Sequence, residues 1–390
     1  AEYMGKHVRL PTPHFRIILN SCKRSPLHFP NELSIIMRRS RCPSLVALVY
    51  AFPLLSCCTA QDVALVPALI IFGDSSADAG NNNYIHTLFK ANHPPYGRDF
   101  PDHQPTGRFC NGKLATDFTA EALGFTTFPP AYLSPQATGN RLLTGANFAS
   151  AASGYDDHTA VLNHGIPLSQ QLDYFLEYKD KLNSLVGNGN SSSIIGDSVY
   201  VLSTGSSDFV QNFYVNPILF KRYTPDQYGS YLMSLFTSFV QKWYNAGGRK
   251  LGVTTLPPLG CLPLVRNLFG FGEERCVFKI NNDARNFNRM LNATVESLQS
   301  QLPGVKIALF DIYSPIQDLL DKPEDNGFFE TARGCCATGT LETTSFLCNE
   351  YSRGTCSNAT HYVFWDSVHP TEAANRVLAD SLLFQGLSLI

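Results

Sequence analysis

The sequence predicts an α/β protein whose central, mostly parallel sheet is covered by helices on both faces. Two observations carry this prediction. Four apolar stretches read as buried strands, each meeting a turn: Leu69–Gly73, Ser198–Asp208, Lys250–Pro257 and Val305–Asp311. Segments with helical spacing separate them, and parallel neighbours need such long crossovers, which are right-handed and place helices over the sheet.

The first strand leads into the stretch LIIFGDSSADAGNN, Leu69–Asn82, where an apolar run breaks at Gly73. Ser75 therefore follows the carboxyl end of a strand, the edge of an open α/β sheet where ligands and reacting groups collect. If a helix begins at this turn, its free N–H groups would stabilise an oxyanion near the hydroxyl. Ser75 is the candidate nucleophile. The alternative from these residues alone is a plain turn with a capping Asp.

The helices are predicted from apolar spacing and from end signals. Thr224, Pro225 and Gln227 supply an N-cap, a first-turn Pro and a capping-box partner. A Gly-, Pro- and Asn-rich stretch, Gly80–Gly112, is predicted to be surface loop, and GNGNSSS after Val186 a flexible connector. The predicted helices are Leu114–Leu123, Leu168–Val186, Thr224–Asn245, Ile280–Leu302 and Glu372–Gln385.

Charge and the absence of common motifs argue against several classes of protein. A net charge of -2 with 16% charged residues gives no reason to expect a nucleic acid or an anionic membrane as partner. The chain contains no Gly-x-Ser-x-Gly elbow, no His-Glu-x-x-His and no phosphate-binding glycine loop. The commonest hydrolase, metalloprotease and NTPase signatures are therefore absent.

The first 60 residues predict export. Residues 1–36 have no helical or strand periodicity and are interpreted as an upstream extension without a fold. Residues 37–60 combine a basic start, an apolar run and small residues suited to cleavage before Gln61, as in a secretory signal peptide. The apolar run is too short for a membrane span. Residues 61–390 are then a single secreted domain without a transmembrane segment.

Cysteine usage agrees with export. Of eleven cysteines, four precede Gln61, so the mature chain keeps an odd number and at least one stays unpaired or pairs with another chain. Two bridges are suggested by the closely spaced group Cys335, Cys336, Cys348 and Cys356. Cys261 and Cys276 could close a loop between them, and Cys110 is left over. The sequons at Asn190, Asn292 and Asn358 suit a secreted glycoprotein.

A second chemical motif lies near the carboxyl end, in FWDSVHPT, Phe364–Thr371. Pro370 disfavours helix at His369, so Asp366 and His369 share a short loop that can bring carboxylate and imidazole together. A following helix start favours a neutral ring that accepts a proton. The alternative is a surface His with a capping Asp. A serine hydroxyl needs such a base, held by a carboxylate, to become a nucleophile.

With these residues in place, the chain resembles the plant GDSL-type esterase/lipase family of the SGNH hydrolase superfamily. The resemblance runs from about Pro67 to near the C-terminus, through FGDSSADAGNN, GRFCNGKLATDF, NFASAASGY, STGSSDF, GCCATG and FWDSVHPT in the family's order. It implies a flavodoxin-like three-layer α/β/α sandwich and an ester substrate, with no cofactor. It also implies Ser75 as nucleophile, His369 as general base and acid, and Asp366 as its orienting partner.

The resemblance further implies an oxyanion hole that includes the backbone N–H groups of Ser75 and Gly154. Gly154 read alone is either a close backbone approach or an ordinary glycine turn. Where the family has Gly-x-Asn-Asp, this chain has Gly205-Ser206-Ser207-Asp208. We expect the Ser207 hydroxyl to replace the Asn amide, directly or through a water. The alternatives are that Asn212 reaches in or that catalysis is weak. Ser76, where the family name expects Leu, is a minor departure.

The expected function is a secreted, extracellular esterase or lipase of the cell wall or apoplast. A binding or structural protein of the same fold with little activity is the alternative, and acyl transfer between alcohols by the same residues is a third. Two aromatic stretches, Phe209–Phe220 and Leu268–Phe271, either line a substrate site or pack into the core; packing is the expected outcome for both.

Overall fold

The computed structural model describes residues 64–270, 275–336, 348–352 and 354–390. Its main sheet has four parallel strands in the spatial order β1-β2-β3-β4. The strands are β1 (Leu69–Gly73), β2 (Val199–Ser203), β3 (Lys250–Thr254) and β4 (Lys306–Phe310). All four predicted strands are therefore present, the third shorter than predicted. The predicted upstream extension and signal peptide lie outside the described residues.

A fifth segment runs beside β1 without forming a full strand. The N–H of Ile71 donates to Ala146 O at 3.1 Å, and the N–H of Phe148 donates back to Ile71 O at 2.7 Å. Ile71 and Asn147 form an isolated parallel bridge. The chain thus passes from β1 to one side and then crosses to β2 on the other. This reversal makes β1 the switch point of a flavodoxin-like sheet, the place where such folds bind ligands.

The helices agree closely with the predicted segments. Thr224 Oγ1 accepts from the N–H of Gln227 at 3.2 Å, and Gln227 Oε1 accepts from the N–H of Thr224 at 2.9 Å, which confirms the capping box. The α-helices of the described residues are α1 (Ala115–Ala122), α2 (Asp157–Leu162), α3 (Leu168–Val186), α4 (Asn188–Asp197), α5 (Pro217–Arg222), α6 (Pro225–Asn245), α7 (Pro263–Phe269), α8 (Phe278–Gln301), α9 (Tyr313–Asp321) and α10 (Glu372–Gln385).

The prediction of a flexible connector after Val186 is wrong. Gly187 ends α3 with a positive φ of 78°, and α4 begins at the next residue. Ser191 and Ile195 on α4 are buried. Since glycine and serine disfavour helix in isolation, the helix is stabilised by burial of this face, which local composition does not reveal.

Alternate residues of each strand face opposite layers, so the core that packs on the main sheet has two parts. Phe72, Tyr200 and Leu202 belong to the larger part, with buried residues of α3, α6 and α8. Ile71 and Val201 belong to the smaller part, with residues of α1 and α10. Helices on both faces of a parallel sheet confirm the predicted three-layer α/β/α sandwich.

A small second sheet and the disulfides lie near the carboxyl end. β5 (Glu330–Gly334) pairs in parallel with β6 (Tyr362–Phe364). The disulfides are Cys261–Cys276, Cys335–Cys356 and Cys336–Cys348, and Cys110 is buried and free, as the cysteine pattern suggested. Within the part of the chain that the structure describes, no helix is long and apolar enough to cross a membrane.

Candidate active site

Ser75 lies in a tight turn directly after β1. Gly73 adopts a φ of 143°, and a Cβ at this position would lie 2.0 Å from Ser203 O on the neighbouring strand. Glycine is therefore required for the strand to end here. The Gln171 side chain accepts from Gly73 N–H and donates to Gly73 O, both at 2.9 Å. These contacts fix the backbone that presents the Ser75 hydroxyl, and Ser75 remains partly exposed.

Asp366 and His369 lie in the loop between β6 and α10. This loop is closed by a hydrogen bond from Trp365 N–H to His369 O at 2.7 Å, and it does not continue as helix because Pro370 follows. A Cβ on Gly334 would lie 2.7 Å from the Asp366 backbone, so the absence of a side chain lets β5 approach the loop. Cys335 and Cys336 donate backbone hydrogen bonds to Phe364 and Trp365, which ties the disulfide region to the same loop.

The tertiary structure brings the three predicted side chains into line. His369 Nε2 lies 2.7 Å from Ser75 Oγ, across 294 positions of sequence. On the other side of the ring, His369 Nδ1 lies 2.8 Å from Asp366 Oδ2 and 2.9 Å from Oδ1. Asp366 is fully buried and His369 is 8% exposed. An imidazole so placed can accept the serine proton through Nε2 while Nδ1–H donates to the carboxylate.

The Asp366 carboxylate is stabilised in its ionised form. Burial by itself raises its pKa, but the charge of His369 and the hydrogen bonds from the ring and from the N–H groups of His369 and Val368 outweigh it, so the pKa lies below its ordinary value. An ionised carboxylate at this position can accept a hydrogen bond from the ring Nδ1–H.

Tyr96 was not foreseen from the sequence. Its hydroxyl donates to Asp366 Oδ2 at 2.8 Å, and its ring is buried between Phe109 and Trp365. It comes from the long loop Gly80–Gly112, whose Pro and Gly content indicates turns but no particular contact. No motif or regular spacing connects this tyrosine with Asp366, so the sequence alone does not identify it.

The two backbone N–H groups predicted as oxyanion donors belong to Ser75 and Gly154. Neither the N–H of Ser75 nor that of Gly154 donates a hydrogen bond to any described residue. Gly154 also packs tightly, since a Cβ there would lie 2.2 Å from Asp208 Oδ1. Glycine is therefore required for the backbone at position 154 to approach the Asp208 carboxylate.

The segment after β2 carries both candidates for the third oxyanion donor, Ser207 and Asn212. Ser207 is buried and lines the same cavity as Ser75 and His369. Asn212 does not reach the site: its Nδ2 donates to Thr159 Oγ1 at 3.1 Å and to Tyr228 OH at 3.4 Å, away from the cavity. The structure gives no support to the Asn212 alternative, because the hydroxyls of Thr159 and Tyr228 hold its buried amide.

Asp208 follows Ser207 and has a different role. Its carboxylate accepts from the N–H of Tyr155 at 2.7 Å, the N–H of Asp156 at 3.2 Å and Thr159 Oγ1 at 2.7 Å. Burial raises its pKa to about 7 despite these hydrogen bonds. The contacts join the segment after β2 to the segment that carries Gly154. Asp208 is thus placed to hold the two predicted oxyanion segments together.

A cavity of about 110 Å³ adjoins the serine and the imidazole. The aromatic stretch Phe209–Phe220 contributes to both the core and the cavity. Phe209 and Phe213 are buried in the core, whereas Val210 and Gln211 line the cavity. In the second stretch, Leu268 is 54% exposed and Phe271 lies outside the described residues. Within the described ranges, no cluster of three His, Cys, Asp or Glu side chains is placed to hold a metal.

A three-layer α/β/α fold whose switch-point serine faces an imidazole and a buried carboxylate defines a serine hydrolase. Residues 69–382 match the family model of the GDSL-like lipases/acylhydrolases. The chain is 60% identical over 350 residues to the GDSL esterase/lipase APG of Arabidopsis thaliana, covering 90% of this chain and 99% of that protein. The chain therefore belongs to the GDSL lipase/acylhydrolase family and is a serine ester hydrolase.

Two further comparisons differ widely in similarity. The chain is 58% identical over 328 residues to the GDSL esterase/lipase At5g03820 of Arabidopsis thaliana, which covers 84% of this chain and 92% of that protein. Among solved structures, LAE5, an alpha/beta hydrolase enzyme from the metagenome of Lake Arreo, Spain, is 12% identical, with a TM-score of 0.41, covering 85% of this chain and 100% of that one.

Proposed function

We propose that the chain is a secreted esterase that hydrolyses carboxylic esters through an acyl-enzyme on Ser75, with His369 as general base and acid and Asp366 as the residue that orients the ring. The observation that carries the proposal is the 2.7 Å separation between Ser75 Oγ and His369 Nε2. At that distance, a proton passes directly from hydroxyl to imidazole as the oxygen attacks.

Acylation begins when Ser75 Oγ attacks the ester carbonyl and His369 Nε2 takes its proton. The imidazolium is stabilised by Asp366, whose lowered pKa keeps it ionised. His369 then gives the proton to the leaving alcohol as the tetrahedral intermediate collapses. In the second half, His369 takes a proton from water, the hydroxide attacks the acyl carbonyl, and the proton returns to Ser75 Oγ as the acid departs.

The negative charge of each tetrahedral intermediate needs donors that are already in place. The N–H groups of Ser75 and Gly154, which have no partner among the described residues, and the Ser207 hydroxyl are proposed to supply them. A hydroxyl is a shorter donor than the Asn amide of the family pattern. Ser207 then either contacts the oxyanion directly or donates through one water.

Several features support secretion to the cell wall or apoplast. Three disulfides persist in an oxidising compartment. The sequon residues Asn190, Asn292 and Asn358 are all exposed, as glycan attachment requires. Export would remove the predicted signal peptide, so mass spectrometry of the secreted protein should find Gln61, or a close neighbour, at the N-terminus. A mature chain retaining residues 1–36 would contradict this part of the proposal.

A fluorophosphonate probe tests the catalytic part. The probe phosphonylates only an activated serine, so we expect covalent labelling of the native protein, an adduct mapped to Ser75 by peptide mass spectrometry, and no labelling of Ser75→Ala. The exposed Ser184 on α3 offers a matched control, because Ser184→Ala should label as the native protein does. A folded native protein that takes no label would favour the binding-protein alternative.

A further inference from the structure

The cavity beside Ser75 lies between the sheet and the helices α1 and α10. It is lined by Thr116 and Thr119 from α1, and by Leu378 and Leu382 from α10. We propose that this space, here named the acyl cavity, holds the acyl chain of the ester and that it selects short aliphatic acids. The inference rests on the proposed function, since it assigns the substrate class of the same site.

The first argument is continuity with the reacting atoms. Ser75 and His369 are themselves part of the cavity wall. Val201, two positions before the end of β2, also lines it. With about 3.3 Å per residue along a strand, the cavity extends roughly 7 Å back from the end of the strand along the sheet. A group attached to Ser75 can therefore enter the acyl cavity without crossing solvent.

The second argument is the chemistry of the wall. Most of the surface facing the cavity is carbon. The part between the sheet and α10, here called the inner end, is lined by Val201 of β2, Phe310 of β4, and Leu378 and Leu382 of α10. Such a lining favours an alkyl chain, because each buried methylene gains from leaving water. The ionisable side chains of the described lining are Asp74, which accepts from Ser76, and His369, which faces Ser75, and both lie at the reacting end.

The hydroxyls along the wall do not contradict an apolar ligand. Ser76 Oγ donates to Asp74 Oδ1 at 2.7 Å and shares a hydrogen bond with Ser203 Oγ at 2.9 Å. Thr254 Oγ1 in turn donates to Ser203 Oγ at 3.2 Å. These groups satisfy one another and make no demand on the ligand. Ser76, in place of the Leu that the family name expects, is part of this chain of hydroxyls.

The polar atoms that do lack partners belong to the segment carrying Ser207. Thr204 Oγ1 and Gln211 Oε1 are buried with no hydrogen bond in the structure, and both residues line the cavity. Since this segment follows the carboxyl end of β2, its polar atoms are at the end where the ester group reacts. The cavity is therefore polar at the ester end and aliphatic at the other.

The covalent chemistry decides which part of the ester lies inside. The alcohol leaves after the first step, and water must then reach the carbonyl. The acyl part stays bonded to Ser75 through both steps. An alcohol held between α1 and α10 would block its own departure, whereas an acyl chain there is retained until hydrolysis frees it. The acyl chain is thus the occupant that suits the enclosed side of the site.

The volume sets the length of the chain. A cavity of roughly 150 Å³ lined by Leu, Ile and Phe holds benzene, a molecule of six carbons. The acyl cavity has about 110 Å³. By this scale it accommodates about four or five carbons beyond the carbonyl, so longer chains must either project outward or push α1 and α10 apart.

Steady-state kinetics on the full-length secreted protein test the proposal with two series of esters. The first series consists of p-nitrophenyl esters of increasing acyl length, and the second of acetate esters of increasing alcohol length. We expect kcat/KM to rise from acetyl to butyryl or hexanoyl by about tenfold or more, since each buried methylene is worth roughly threefold to fourfold, and then to fall for decanoyl and longer chains. In acetate esters of increasing alcohol length, kcat/KM should change by less than threefold.

Variants of Leu382 sharpen the test. Leu382→Trp should fill the inner end and remove the advantage of hexanoyl over acetyl, while Leu382→Ala should move the optimum to longer acyl chains. The matched control is Phe384→Trp on the same helix, where the side chain is 78% exposed and the acyl-length profile should stay unchanged. If Leu382→Trp fails to fold, the Leu382→Ala shift still decides the question.

The outcomes separate this inference from the proposed function. Labelling of Ser75 by a short-chain fluorophosphonate, together with an acyl profile that is flat or rises steadily to long chains, overturns the acyl cavity and leaves the esterase intact. A dependence on alcohol length in place of acyl length also overturns it. Absence of labelling by any chain length overturns the proposed function itself.

Discussion

Asp366 and Asp208 are both fully buried aspartates in short segments that follow strands, yet their pKa values shift in opposite directions. Asp366 has a pKa below its ordinary value, while the pKa of Asp208 is raised to about 7. Both carboxylates accept several hydrogen bonds from backbone N–H groups. The difference is the remaining partner: a histidine ring faces Asp366, and a threonine hydroxyl faces Asp208.

The comparison shows that hydrogen bonds alone do not offset burial at this site. Desolvation disfavours the charged form of both groups, and a group that can carry the opposite charge is needed to reverse it. The carboxylate with the titratable partner is the one that can assist proton transfer. The other, without a cationic partner, serves to join the segments of Gly154 and Ser207. Four substitutions would break or sharpen this contrast.

The largest effect is expected from Asp366→Asn. An amide cannot stabilise the imidazolium and favours the wrong tautomer of His369, so kcat should fall by about 10⁴-fold, as in other serine triads. Steady-state kinetics on a short-chain ester measure the loss, and circular dichroism checks that the variant folds. A fall of less than tenfold would mean that Asp366 is only structural.

The second effect concerns stability and its dependence on pH. Because the pKa of Asp208 is raised to about 7, its contribution to folding is complete below the ordinary value of 3.8 and is lost as the pH rises through about 7. The loss is up to about 4 kcal/mol, at 1.36 kcal/mol per pKa unit. Asp208→Asn cannot ionise, and it also loses an acceptor for the Tyr155 N–H.

Denaturant unfolding between pH 4 and pH 8 measures both consequences. The variant should be less stable than the native protein at pH 4 and should lose less stability as the pH rises. Asp180→Asn, at an exposed position on α3, is the control and should follow the native profile. Parallel profiles for Asp208→Asn and the native protein would show that Asp208 is ionised across this range.

The third effect tests whether the Asp208 segment contacts the reacting atoms. Ser207→Ala should lower kcat at least tenfold, since the loss of one oxyanion donor in other enzymes removes roughly 2.7 to 4 kcal/mol of transition-state stabilisation. Ser207→Thr keeps a hydroxyl and should retain more activity than the alanine variant. Unchanged kinetics in Ser207→Ala would exclude the hydroxyl from the oxyanion hole.

The smallest effect is expected from Tyr96→Phe, which removes only the hydroxyl that donates to Asp366 Oδ2. A hydrogen bond to a charged group is worth about 1.5 to 3 kcal/mol, so its loss should raise the pKa of Asp366. We expect kcat/KM to fall roughly threefold to tenfold, with the acid limb of its pH profile displaced. A uniform loss at every pH, with the limb unmoved, would assign Tyr96 a packing role only.

The sequence predicts more of the fold than of the site's surroundings. Apolar spacing and end signals place α3 and α10 at the bounds that the structure has, and the apolar runs place all four strands of the main sheet. These elements are predictable because their burial and capping depend on residues a few positions apart. Helix α4 was missed because its stability depends on what its buried face packs against, and that partner is distant in sequence.

The sequence by itself determined the parallel α/β architecture and made Ser75, Asp366 and His369 the candidate catalytic residues, since a motif contains the hydroxyl, carboxylate and imidazole groups themselves. Tertiary structure alone decided the 2.7 Å contact between Ser75 and His369, the support of Asp366 by Tyr96, and the acyl cavity between the sheet, α1 and α10. Each of these depends on residues brought together from separate strands and helices. Distances, enclosed volume and desolvation are properties of that packing, and no local stretch of sequence contains them.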